Sequence, residues 1–294
     1  MRSRFLIISA LAVWSTWGLA VRSLDLPVLV IVFYNALFGL AFQGIALAFT
    51  ARREPVGMTD GLPGLMLLGF FSLANIITYF FALKLTTVAS AVLTHYTAPV
   101  FVALIAPFIL KDRMGRSTLM ALVLSAAGLG LVFTRGLGAM DGDGLLGALA
   151  GTLSGLMYAF VIIVSRLVTH RHHPVKVVFV QTLFGAAVLA LFVLPGGGLA
   201  ITPLQGLILA VVGFVHTTFA IVIYMYGIRE VTAQEAGVLG YLEPVLGIVL
   251  AFLFLGESPH PLALLGGAMI VFSGFMVVRQ GAARPVEALD DYRG

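Results

Sequence analysis

Ten long apolar runs, separated by short polar, charged or glycine-rich links, set the pattern of this chain. They lie at roughly 4–22, 27–50, 62–84, 87–110, 116–134, 144–168, 174–195, 203–228, 232–255 and 260–279. An α-helix needs about 20 predominantly apolar residues to cross the hydrocarbon of a bilayer. Strands of a membrane barrel would instead alternate apolar and polar residues over about ten positions. The unbroken runs therefore predict an all-α integral membrane protein with ten transmembrane helices.

The pattern also occurs twice. At an offset of 145, Thr87, Ala91, Tyr96, Pro99, Val100, Ala106 and Leu110 return as Thr232, Ala236, Tyr241, Pro244, Val245, Ala251 and Leu255. Val32, Phe33, Phe38 and Gly39 in the second run return at an offset of 146 as Val178, Phe179, Phe184 and Gly185. Tyr79 and Lys84 align with Tyr224 and Arg229, and Asp112 aligns with Glu257. The expected organisation is a first half at 1–135, a link at 136–143, a second half at 144–280 and a polar tail at 281–294, expected to be disordered. Five spans per copy would invert one half against the other. Inverted repeats with breaks inside apolar helices point to secondary transporters.

Composition removes the soluble alternative. The chain is 60% hydrophobic and only 10% charged, with a mean hydropathy of +1.08. Soluble domains carry about a quarter of charged residues. With no cysteine, disulfides and thiolate metal sites are excluded. Fourteen of the 17 Lys and Arg fall on the side of the N-terminus, against Arg22, Lys84 and Arg135 on the other. The positive-inside rule then places both termini in the cytoplasm and the chain in the inner membrane, as a multi-pass protein. The basic pI near 9.6 reads as contact with anionic headgroups rather than nucleic acid. Met1 to Arg4 followed by an apolar run imitates a signal peptide, a reading set aside because no clear small-x-small cleavage site follows and the first run has a counterpart in the sixth.

A few polar residues within the spans are the candidates for function. Glu243 stands near the middle of the ninth run, where a carboxylate costs about 2.5–3.5 kcal/mol on insertion scales. It could contact a substrate amine, carry a proton, or tie its helix to a neighbour. Pro99 and Pro244, at matching positions, each remove an amide donor and clash with the carbonyl four residues back. Such helix breaks are tolerated where the backbone lines a cavity or is buried in protein. His95 lies on a small polar stripe with Thr87, Ser90, Ala91, Thr94 and Ala98. His216 lacks so clear a stripe. Asn35 and Gln181 occupy equivalent positions, Asn35 in line with Gly39 and Gln43. Ser72, Asn75 and Tyr79 form a similar line on the third run. These amides either bond across helices or face a substrate. Trp17, Tyr34, Tyr79, Tyr96, Tyr158 and Tyr241 are candidate cavity rings, with core packing the competing reading, and Trp14 and Tyr224 share their mid-span setting.

Other features read as structural. Gly147, Gly151 and Gly155 give consecutive GxxxG steps that permit close helix packing. His170, Arg171, His172 and His173 read as a solvated loop rather than a metal tract. No HExxH, GxSxG or Walker A motif occurs. Hence no catalytic residue, metal or cofactor is expected, and the chain is not expected to be an enzyme.

The aromatic-x-x-Pro pattern in the fourth and ninth runs, with an acid just after each, resembles the EamA family of the drug/metabolite transporter superfamily. So do Trp17-Gly18, Ser165-Arg166 and the segment Tyr241-Leu242-Glu243-Pro244-Val245 with Gly256-Glu257. The resemblance covers about residues 5–279. It implies a ten-helix carrier with a central cavity between halves, exporting amino acids or other small metabolites. Asn35 departs from it, since the family often has Arg there. The expectation is a monomeric exporter of small amphipathic metabolites, amino acids foremost. The alternatives are an exporter of drugs or other metabolites, a non-transporting receptor, and a channel.

Overall fold

The computed structural model describes residues 2–16, 24–51, 60–86, 88–111, 114–133, 142–196, 200–256 and 260–281. Trp17, Asp112, Glu257, most of the 136–143 link and the tail beyond Gly281 lie outside the described residues. Those described form helices, turns and short links, with no strand among them. In order, the helices are α1 (Arg2–Trp14), α2 (Val28–Ala51), α3 (Leu62–Leu85), α4 (Val88–His95), α5 (Ala98–Ile109), α6 (Arg116–Phe133) and α7 (Gly142–Arg171). They continue as α8 (Pro174–Val193), α9 (Pro203–Val212), a π-helical segment (Gly213–Ala220), α10 (Ile221–Ile228), α11 (Ala233–Gly240), α12 (Leu242–Leu255) and α13 (Pro261–Gly281). Eight rods are long and apolar enough to cross a bilayer, the first Val28–Thr50 and the last Pro261–Arg279, and Arg116–Val132 is a shorter apolar helix.

Local chemistry sets several boundaries. Thr202 and Thr232 open α9 and α11 as capping boxes, each hydroxyl accepting the amide three residues on while Gln205 and Glu235 reach back. His173 caps α8, with Pro174 filling the first position, where a missing amide costs nothing. The 170–173 segment is therefore not a free loop. His170 and Arg171 complete α7, and His172 and His173 make the corner. After α5 and α12 the chain turns through left-handed residues 145 positions apart, Lys111 (φ 54°) and Gly256 (φ 68°). Glycine takes this conformation freely, whereas a side chain pays for it.

The bundle is organised by the apolar solvent. Large side chains such as Phe108, Leu191 and Phe254 point outward, whereas Ser125, Ser154, Ser165 and Ser273 are fully buried. Many interior hydroxyls return to their own helix, Thr94 to the Ser90 carbonyl (2.7 Å) and Ser125 to that of Ala121 (2.6 Å). In lipid, such internal partners replace water. Helix α3 packs along α7, α6 along α13 and α2 along α8. Helix α1 lies on α10, α7 also receives α4 and α5, and α11 meets α5.

Glycine makes the tightest of these contacts possible. A Cβ at Gly155 would stand 2.6 Å from the His95 carbonyl oxygen, and one at Gly147 would stand 2.7 Å from Thr86 Cβ. The GxxxG stripe is thus spent inside the chain, seating α7 against α4. Gly128 and Gly266 bring α6 and α13 together in the same way. At one end of the bundle, buried Arg4 of α1 donates to Glu235 of α11 at 2.8 Å. Glu235 also accepts the Thr232 amide, and Ser3 donates to Glu230.

Two outcomes test this packing. Gly155→Val should cost about 1–3 kcal/mol by overpacking, while Gly130→Ala, whose Cβ would meet nothing within 4 Å, should be neutral or stabilising. Lys111→Gly should stabilise the protein by about 1 kcal/mol through relief of the left-handed conformation. Thermal unfolding of the purified variants in detergent measures each.

Candidate functional site

Both proline-marked positions interrupt their helices. Helix α4 ends at His95, Tyr96 and Thr97 form a turn, and Pro99 sits in the first turn of α5. In the second copy, α11 ends at Gly240, Tyr241 forms the turn, and Pro244 sits in the first turn of α12. The two breaks meet. Tyr96 and Tyr241, equivalent in the repeat, stack with ring centroids 6.2 Å apart, and a Cβ on Gly237 of α11 would lie 3.3 Å from Pro99.

Around this junction the structure collects polar and aromatic side chains from six helices. His95 stacks on Tyr158 of α7 (5.3 Å), faces Tyr79 of α3 (4.7 Å) and meets Tyr96 edge-on (5.3 Å). Its Nδ1 lies 2.7 Å from Ser154 Oγ. Asn75 of α3 donates to both the Ser154 carbonyl (3.0 Å) and its hydroxyl (3.1 Å). Glu243, in the first turn of α12, accepts a hydrogen bond from the Tyr96 hydroxyl. Tyr79, Tyr158 and Tyr224 lie within its electrostatic reach. Tyr224 of α10 in turn packs on Trp14 of α1 (5.2 Å). Glu243, His95, Tyr79 and Tyr158 lie deep in the bundle and are half-buried rather than fully enclosed.

One face of α3 joins this cluster to the amides. Ser72 accepts from Gln181 Nε2 at 2.7 Å, one turn along Asn75 reaches Ser154, and a turn further Tyr79 meets His95. The side-chain oxygens of Asn35 and Gln181 are buried without a protein partner. Buried acceptors of this kind bind water or ligand, since leaving them unpaired is costly. Gln43 is in the same situation as Gln181: its amide nitrogen donates to the Thr217 carbonyl of the π segment (2.9 Å), while its buried oxygen has no protein partner.

The structure separates the sequence candidates. Tyr79, His95, Tyr96, Tyr158, Tyr241 and Glu243 come together. Tyr34 does not, since it packs with Phe33 and Phe38 in side clusters of the core. His216 lies on the π segment, 2.9 Å from Thr16 Oγ1, and its carbonyl accepts from Trp14 Nε1 at 3.2 Å. The π segment has no counterpart in the uninterrupted run expected at 203–228. Trp17 lies outside the described residues. Ser154 and Asn75 carry more of the network than the sequence showed. Among the described residues, no group of three or more His, Asp or Glu could hold a metal.

Apolar helices of crossing length, an inward-turned polar lining and a carboxylate among tyrosines define a multi-pass membrane protein of the transporter class. The sequence pattern of the EamA-like transporter family matches residues 1–134 and again 145–279, and the chain belongs to that family. An uncharacterized transporter of Archaeoglobus fulgidus is 30% identical over 266 residues, which span 90% of this chain and 92% of that one. The pseudopaline exporter CntI of Pseudomonas aeruginosa is 26% identical over 258 residues, 85% of each chain. A protein of Streptantibioticus cattleyicolor named a probable terminal-alkyne amino-acid exporter is 26% identical over 200 residues, 65% of this chain and 64% of its own. One crystal structure superposes with a TM-score of 0.83 at 23% identity, covering 96% of this chain and 98% of its own, and so shares the fold. The protein is a membrane transporter and not an enzyme.

Ser154→Ala would remove the hydroxyl on which His95 and Asn75 both converge. Stranding these buried groups should cost about 1–3 kcal/mol, read as a lowered unfolding temperature in detergent.

Proposed function

We propose that the protein is an inner-membrane exporter of small amphipathic metabolites, amino acids foremost, working by alternating access. Two inverted halves, 1–135 and 144–280, would enclose the site and rock about it, with both termini cytoplasmic. The observation that carries this reading is the meeting of two broken helices at a polar cluster deep in an apolar bundle. Carriers of this design place substrate where discontinuous helices face each other near midplane.

The packing supports two related halves. Equivalent spans pair with each other: α2 with α8, α6 with α13, and α5 with α11. The contact of α3 with α7 has its counterpart in that of α10 with α1. The aromatic walls suit an apolar side chain, and Asn35, Gln181, His95 and Ser154 offer polar groups to the other end of a substrate. Two relatives are named exporters, one of an amino acid and one of pseudopaline. They support the outward direction of transport.

Counterflow in proteoliposomes tests the reading. Vesicles loaded with unlabelled amino acids should take up labelled Phe, Thr or Leu saturably, and lose that uptake without the internal load. Asn35→Leu and Gln181→Leu should weaken exchange while leaving the protein folded and monodisperse. Binding without flux would favour a receptor, and conductance without saturation a channel.

A further inference from the structure

The polar groups of the central cluster differ in what they can neutralise, and this difference identifies the end of the substrate that the site reads. We propose that Glu243 and the tyrosines around it form a binding site for the ammonium group of an amine-bearing substrate, so that cargo is selected by its amine rather than its carboxylate. The inference rests on the transport reading above and specifies its substrate class.

Glu243 has no cationic partner among the described residues, and the Arg4–Glu235 ion pair lies away at the end of the bundle. The Tyr96 hydroxyl satisfies one of its acceptor positions. A carboxylate has roughly four such positions, so capacity for further donors remains. An ammonium brings three donors and the missing charge. The surroundings favour the same sign. Tyr79, Tyr96, Tyr158 and Tyr224 lie near the carboxylate and bring neutral, electron-rich phenols to it, a setting that suits a cation better than an anion.

A carboxylate end would meet no comparable help. The imidazole beside the cluster, His95, is held between two tyrosine rings and bonded to Ser154. The nearest arginine on α7, Arg166, lies eight residues beyond Tyr158, about 12 Å along the helix axis. Lys176 donates to the Asp60 carbonyl. An anion placed against Glu243 would be repelled, with no compensating charge close by among the described residues. Glu243, Tyr79 and Tyr158 are half-buried rather than sealed in the core.

The test is equilibrium binding to purified full-length protein in nanodiscs at neutral pH. The probes share one ring and differ in their polar end: phenethylamine, phenylalanine, phenylpropionate and phenethyl alcohol. The two amine-bearing probes should stabilise the protein and displace each other. The acid and the alcohol should bind about tenfold more weakly or not at all. Glu243→Gln should lose about tenfold or more of the affinity for phenethylamine, and Glu243→Asp should keep part of it. Phenylpropionate binding as tightly as phenethylamine, no binding by either amine, or wild-type affinity in folded Glu243→Gln would each overturn the proposal. Should Glu243→Gln fail to fold, the ranking of the four probes on the wild type decides alone. Counterflow of the same probes separates the two readings. Amine-selective binding without exchange keeps the site and removes transport. Exchange that ignores the amine keeps transport and removes the site.

Discussion

Every backbone amide and carbonyl inside a bilayer must find a partner within the protein, and this requirement shapes the rest of the structure. It makes the chain helical throughout its apolar runs. It also restricts where a helix can stop short, because an interruption exposed to lipid would strand polar groups at several kcal/mol each. The breaks at Tyr96–Thr97 and at Tyr241 satisfy it by facing each other inside the bundle. Prolines that would be defects on the outside thereby place two helix ends, two tyrosines and a carboxylate at one point. Glycine completes the arrangement, since only a residue without a side chain lets α7 approach the His95 carbonyl.

The cluster that results is built from side chains that hold one another. Asn75 orients Ser154, Ser154 engages His95, and the His95 ring lies against Tyr79 and Tyr158. The long helices α3 and α7 supply all of these groups but His95, which ends the short α4 at the break. Buried polar networks of this kind are stable when satisfied and costly when broken. Glu243 stands apart as the one carboxyl group of the cluster, and its partners are all neutral.

Much of this was legible in the sequence, and the reason is again the solvent. Lipid demands long apolar runs, so the positions of the helices show in hydropathy alone. The two breaks show as well, because Tyr96 with Pro99 and Tyr241 with Pro244 stand at one fixed offset. Rotation about each helix axis was not legible. A helix apolar on all sides has no polar stripe to fix which face turns inward. Tyr34 and Tyr79 therefore looked alike, though one packs in a side cluster and the other meets His95. Ser154 was hidden among the small residues of a GxxxG stripe, where a hydroxyl reads as filler. The π segment left no trace, since a run long enough to span shows its length in hydropathy but not the pitch of its winding, even where His216, Thr217 and Thr218 interrupt it.

That segment has a consequence for the helix carrying Tyr224. A π-helix bonds each amide to the fifth carbonyl back rather than the fourth, so it winds fewer turns from the same number of residues. The eight residues from Gly213 to Ala220 hold His216 on one side of this slack winding, with Tyr224 just beyond it. Thr218 secures it by donating to the Gly213 and Gly39 carbonyls. Tightening the segment to α-helical winding would turn Tyr224 about the helix axis relative to His216 without ending the helix. The slack winding is thus the part of the rod seated on α2, and the pitch it sets fixes the side of the helix from which Tyr224 meets Trp14.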